Sequence, residues 1–346
     1  GIYGFVCAGG GSIGVLLGGL LTSAFTWHWI FLVNIPIGIG VYAFCVALLP
    51  DSRGQAVSER LDIGGAITVT ASLMLAVYAI VNGNEAGWTS AQTIGLLSLA
   101  LVLFALFLFI ESRVRAPLVP LGLFRLRNLA TANVISVFWA AAMFAWFFIS
   151  ALYLQLVLGY TPMQVGLAFL PGNLIMAVLS LGISAKLVMR FGIRPPLAVG
   201  LLTAALGLAL FARAPVDGDF MLDVLPGMLL LGFGAGIAFN PVLLAAMNDV
   251  KPSDSGLASG IVNTAFMMGG ALGLAVLASM AAARTGKLAA AGASSVEALN
   301  AGYHLAFLIG AGVAAGAAVL GCLLLRVKLQ APAHGGEQAV GEVEQA

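Results

Sequence analysis

"GGGSIGVLLGG", residues 9–19, supports two incompatible folds. Gly9, Gly11 and Gly14 spell G-x-G-x-x-G, the fingerprint of a loop that cradles a dinucleotide pyrophosphate. Gly10, Gly14 and Gly18 instead recur every four residues, which draws one glycine stripe down a helix. The loop needs a strand before it, a helix after it and an acid about 20 residues on. No Asp or Glu occurs before Asp51, and the stretch lies within an apolar run over residues 1–50. The helix reading stands, and small residues along it let a neighbouring backbone come close where lipid gives no hydrophobic drive between helices. Gly232/Gly236, Gly256/Gly260 and Gly269/Gly273 repeat the spacing later in the chain.

Composition agrees. Of 346 residues, 61% are hydrophobic and 8% charged, against about 25% charged in soluble domains. Mean hydropathy is +1.07. A net charge of +1 gives no footprint for nucleic acid. Cys7, Cys45 and Cys322 fall in separate apolar runs and read as small core residues, not as a disulfide framework or a metal site. The chain opens on Gly1 within a hydrophobic run, without an initiator methionine, and so reads as a partial gene product.

Charge-free stretches cover 1–50, 63–84, 86–110, 128–185, 195–212, 224–248, 255–283 and 298–325. One crossing takes roughly 20 apolar residues. The first and fourth stretches are long enough for two and contain turns, "TSAFTWH" at 22–28 and "GYTP" at 159–162, which gives ten spans. Such long continuous runs predict helices, not barrel strands. With the first helix running outward, the inner loops hold twelve of the fifteen Lys and Arg residues and the outer loops only Arg213, Arg284 and Lys287. That bias predicts a multi-pass plasma-membrane protein with both ends of this chain cytoplasmic.

The first helix carries a longer pattern: Gly, eight residues, Gly, three residues, Gly-Pro, two residues, Gly-Gly. Its places are held by Gly1, Gly10, Gly14, Val15, Gly18 and Gly19, with valine in the proline position. This resembles the antiporter motif in the fifth helix of drug/proton antiporters of the major facilitator superfamily. "WHWIFLVNIPIG" (27–38), "LYLQLVLGYTPMQVGLAFLP" (152–171) and "SGLASGIVNTAFMMGGALG" (255–273) resemble helix six, the turn between helices nine and ten, and helix thirteen of its fourteen-span branch. A cytoplasmic G-x-L-x-D-R-x-G-x-R pattern is partly met by Leu187, Arg190, Gly192 and Arg194, with Ala185 and Met189 departing from it. The resemblance implies an all-α, major-facilitator-type helix bundle present from helix five onward. Residues 1–50 would be the last two helices of the N-terminal half and 51–128 two inserted helices with linkers. Residues 129–326 would be the C-terminal six-helix half, followed by a disordered cytoplasmic tail over 327–346. It further implies a monomer that exports small lipophilic or cationic substrates in exchange for protons.

The spans hold no Asp, Glu, Lys or Arg away from their ends. Intramembrane charges mark proton and substrate pathways, so the coupling groups are expected outside this chain. Asp62 and Glu111 sit at cytoplasmic boundaries, where hydrated helix ends account for them; Glu111 is also a gate candidate. Lys186, Arg190 and Arg194 recur every four residues, so a helix continuing past the membrane would carry them on one face, against lipid phosphates or as a gate with Gly192. Asn133, Trp139, Phe147, Tyr153, Gln155, Asn173, Asn240, Asn263 and Met267 are the candidates for lining a substrate cavity. Such a cavity is mostly apolar, with a few orienting polar groups. For any single amide, interhelical hydrogen bonding is the alternative.

No cofactor or metal is implied. A membrane enzyme would need clustered His, Asp, Glu or Cys, and the three histidines are scattered. A channel would want a pore-lining ring. An ATP-driven pump would need G-x-x-x-x-G-K-[ST], which does not occur. Secondary transport by alternating access is the leading reading, with proton-coupled export as its direction on the strength of the resemblance alone. The alternatives are a transporter of a metabolite or lipid not coupled to protons, an inactive truncated fragment and, less favoured, a membrane enzyme.

Overall fold

The computed structural model describes residues 2–48, 62–114, 117–251 and 254–326. Gly1, Arg53, Arg60, Arg115, Lys328 and the tail over 327–346 lie outside the described residues. The described chain forms twelve helices and, among its residues, no strand. They are α1 (Ile2–Ala24), α2 (Trp29–Leu32), α3 (Asn34–Leu48), α4 (Ile63–Ala86), α5 (Ala91–Glu111), α6 (Arg127–Leu152), α7 (Pro162–Val178), α8 (Ser184–Phe191), α9 (Arg194–Phe211), α10 (Leu225–Met247), α11 (Ser255–Ala290) and α12 (Ser295–Leu324). With short joints merged, nine of the described helices are long and apolar enough to cross a membrane. The expected tenth, α1, is helical over 23 residues.

Turns and caps fall where the polar punctuation predicts. Gly159 takes φ +71°. Thr161 and Gln164 then close a capping box on α7, with Gln164 Oε1 accepting from Thr161 N at 2.8 Å. Pro162 follows as the first helical residue, where a missing N–H costs nothing. Ser294 and Glu297 cap α12 in the same way.

Three helices contain π turns, at Tyr153–Val157, Leu179–Ile183 and Phe220–Val224, the second joining α7 to α8. A π turn frees a carbonyl from the α-helical ladder. Ser180 O finds a partner in Asn240 Nδ2 of α10 at 3.1 Å.

The helices α6, α7 and α9 to α12 form one packed body, with α6 against α11 and α12 and α9 against α10 and α12. Glycine makes that closeness possible. A Cβ at Gly200 would stand 2.8 Å from Gly234 O, and one at Gly234 would stand 2.5 Å from Gly200 O. At one end, which carries Arg127, Lys186, Arg190, Lys251 and Arg326 and is called the basic end below, hydrogen bonds tie the helices together. Asn128 Nδ2 donates to Asp249 Oδ2 at 2.7 Å, and Arg326 N donates to Asn128 Oδ1 at 2.9 Å.

The remaining helices attach peripherally. α1 lies along α7, while Trp29–Leu48 buries none of its residues. Cys45 and Cys322 are exposed, contrary to a core role, because the faces that carry them meet no neighbour. α4 and α5 pair with each other, and α4 rests on α11. That contact is pinned at the end away from the basic loops, where Asn84 Nδ2 donates to Ser279 O at 2.7 Å and Trp88 Nε1 donates to Asn84 Oδ1 at 2.9 Å.

Candidate functional site

The glycines of α1 divide between two faces. Gly10 and Gly14 are exposed, and a Cβ at either would meet nothing within 4 Å. Gly19 is buried, and a Cβ there would stand 2.7 Å from Pro162 O at the start of α7. From the other side, a Cβ at Gly166 of α7 would stand 3.2 Å from Val15 O. The close approach of α1 thus runs along Val15, Gly19 and Gly166, not along the stripe at 10, 14 and 18.

Beside this contact lies a cavity of about 640 Å³. Val15, Gly18, Gly19 and Thr22 form its α1 wall. Met143, Phe144, Phe147 and Phe148 of α6, with Gln155 in the following π turn, form the second wall. Val165 and Phe169 of α7 and Leu274 of α11 complete it. Phe147 and Phe169 stack with centroids 5.5 Å apart, and Trp146 lies 4.3 Å from Phe147. Flat apolar rings with one amide, Gln155, suit a greasy molecule that carries a polar group.

An aromatic run leads onward. Phe144 meets Phe266 edge to face at 6.0 Å, and Phe266 meets Phe239 at 6.0 Å. Phe239 and Phe266 wall a second cavity of about 70 Å³, where Ser136, Trp139, Ser259 and Asn263 also turn. Trp139 is buried, and its Nε1 has no hydrogen-bond partner. A third, strongly apolar cavity of about 710 Å³ separates α5 from α6 and α11, with Asn133, Phe107, Gly256, Gly260 and Met268 on its walls.

The structure therefore gathers Val15, Gly18, Gly19, Phe147 and Gln155 around one cavity, Trp139 and Asn263 around another, and leaves Asn133 in a third. Tyr153 and Asn240 are buried and bonded to backbone, Tyr153 OH donating to Pro215 O at 2.7 Å. Asn173 is 1% exposed, with neither amide atom partnered. Met267 is half exposed on the surface. His304 Nε2 lies 2.7 Å from Ala214 O, a tie between α12 and the loop after α9. Phe144, Phe169, Phe239 and Phe266 were not separable from the other phenylalanines, of which the chain has 20, by sequence alone.

At the basic end, Lys186 and Arg190 lie exposed on α8. α8 stops at Phe191, Gly192 turns the chain with φ +83°, and Arg194 opens α9. The expected continuous basic face is broken after Arg190, because only glycine takes that backbone angle without strain. Asp62 and Glu111, expected at hydrated helix ends, are 7% and 3% exposed. The returning segment at Leu118 and Val119 helps to cover Glu111, Val119 N donating to Glu111 Oε2 at 3.1 Å.

Residues 1–274 match the profile of the Major Facilitator Superfamily. Across 346 aligned residues, 98% of the chain, it is 33% identical to the puromycin resistance protein pur8 of Streptomyces alboniger. It is 34% identical over 285 residues (82% of the chain) to the multidrug resistance protein Stp of Mycobacterium tuberculosis. It is 35% identical over 271 residues (78% of the chain) to the cephamycin export protein CmcT of Amycolatopsis lactamdurans. The match spans 68% of the first relative's length and about half of the other two, 52% and 56%. All-helical, multiply spanning and matched over most of its length, the chain belongs to the Major Facilitator Superfamily.

Proposed function

We propose that this protein is a secondary active exporter of amphiphilic, drug-like compounds that works by alternating access. The observation that carries this reading is the aromatic cavity of about 640 Å³, with α1 and its antiporter-like pattern on one side and α6, α7 and α11 on the other. A cavity between two helix groups can be opened to either side by rocking one group against the other, with no chemistry on the substrate. Val15, Gly18, Gly19, Phe147 and Gln155 contact the cargo in this reading; Trp139 and Asn263 extend the path along the phenylalanine run. The printed names of the relatives, puromycin resistance and cephamycin export among them, favour the same substrate class.

Residues 1–50 serve as the end of the first half, 51–128 as an inserted pair and 129–326 as the second half. Protons drive export, through groups outside the mid-span residues of this chain, where no acid occurs. The transporter is a monomer without cofactor or enzymatic activity, in the plasma membrane, with both ends of this chain on the cytoplasmic side, as the bias of Lys and Arg favours. Lys186, Arg190 and Arg194 then face lipid phosphates beside the Gly192 turn.

The test is efflux. Cells expressing the protein should accumulate less puromycin or ethidium than controls, and a protonophore should abolish the difference. Equal accumulation across a panel of amphiphiles would remove the reading.

A further inference from the structure

Asp62 and Glu111 close the basic end of the α4–α5 pair. Each carboxylate commits one oxygen to backbone. Asp62 Oδ1 accepts from Gly65 N at 2.7 Å and caps α4. Glu111 Oε2 accepts from Val119 N at 3.1 Å. The other oxygens, Asp62 Oδ2 and Glu111 Oε1, are buried and have no hydrogen-bond partner among the described residues. Both turn toward one point: a Cβ at Gly65 would touch Asp62 Oδ2 and stand 3.1 Å from Glu111 Oε1. Gly65 lacks that carbon, and the gap between the oxygens stays open.

Two ionised carboxylates facing each other in a buried gap would leave two acceptors unmet and two like charges uncompensated. Among the described residues, neither carboxylate has a cation as hydrogen-bond partner. Arg113, two residues past Glu111, turns onto the Phe109 ring at 5.1 Å. The returning segment 117–120 has no ionisable side chain, α4 carries its other acid, Glu85, at the far end, and Asp254 precedes α11. Arg53, Glu59, Arg60 and Arg115 lie outside the described residues.

We propose that Asp62 and Glu111 hold one proton between them, forming a proton-binding clasp at the basic end of the inserted pair. On uptake, a proton from water at that end bonds to one of the two free oxygens, and the new O–H donates to the other. On release the proton returns to water, both groups are charged, and their repulsion loosens the joint between α4, α5 and Val119. Leu118 and Val119 also wall the 710 Å³ cavity, so the protonation state of the clasp is felt there. The pair is occupied at low pH and empties as pH rises. None of this rests on the transport reading.

Infrared difference spectroscopy on the protein in lipid, without substrate, decides it. A protonated-carboxyl stretch that shifts in D2O should be present at neutral pH and vanish on raising the pH. It should be lost in both Glu111→Gln and Asp62→Asn, since the amide supplies the donor and the remaining carboxylate ionises. No such band in the wild-type protein, or a band that persists in both variants, overturns the proposal. So does a band that emerges only in Arg60→Gln, because Arg60 would then be neutralising the pair. The wild-type spectrum stands even if a variant fails to fold.

Discussion

The same device, a glycine at every fourth position, occurs in α10 and in α1 with opposite surroundings. In α10, a Cβ on Gly232 would collide with the Gly172 backbone of α7, and one on Gly236 would stand 2.9 Å from Met176 O. In α1, Gly10 and Gly14 face open space. A stripe of small residues therefore records a capacity for close approach. Whether it is used depends on which helices stand beside it.

Identical substitutions in the two regions should break or sharpen that contrast. Gly232→Leu has no space to enter, because the obstacle is backbone, and overpacking of this kind costs about 3 kcal/mol or more. Loss of monodisperse protein in detergent is the expected result. Phe147→Ala, in the cavity that α1 walls on one side, should alter discrimination between two exported amphiphiles about tenfold, the effect of one lost apolar contact. Unchanged relative efflux would mean that the ring does not face the cargo. Tyr153→Phe removes the hydroxyl that donates to Pro215 O and should lower stability by about 1 kcal/mol, visible as a small drop in thermal midpoint with efflux retained. Gly14→Leu should shift the stability of this chain by less than about 0.5 kcal/mol, since a leucine there meets no neighbour. If Gly14→Leu unfolds the chain as Gly232→Leu does, the distinction between the regions fails.

The spans were legible because a crossing helix needs length and apolarity, both local properties. "GYTP" became the turn before α7 because Gly159 takes the left-handed backbone and Thr161 caps the helix. The site was legible only in part. Phe147 and Gln155 reached the cavity, whereas Asn240 went to the Ser180 carbonyl within a π turn. An intramembrane amide has the same sequence signature in both cases. Arg194 left the basic face because the angle of Gly192 is not encoded in i, i+4 spacing. Asp62 and Glu111 looked hydrated because nothing in the sequence said that Val119 returns to Glu111 or that both carboxylates are buried.

The π turn at Leu179–Ile183 has a geometric consequence for α8. It holds one residue more than an α-helical turn would, and each residue advances a helix by about 100°. Everything after Ile183 is therefore set at an azimuth that the residues before Leu179 do not share. Deleting one residue within that turn would let the helix run straight and would swing Lys186 and Arg190 about 100° around the axis, with no side chain changed. The compass bearing of those two cations is fixed by a single surplus peptide unit.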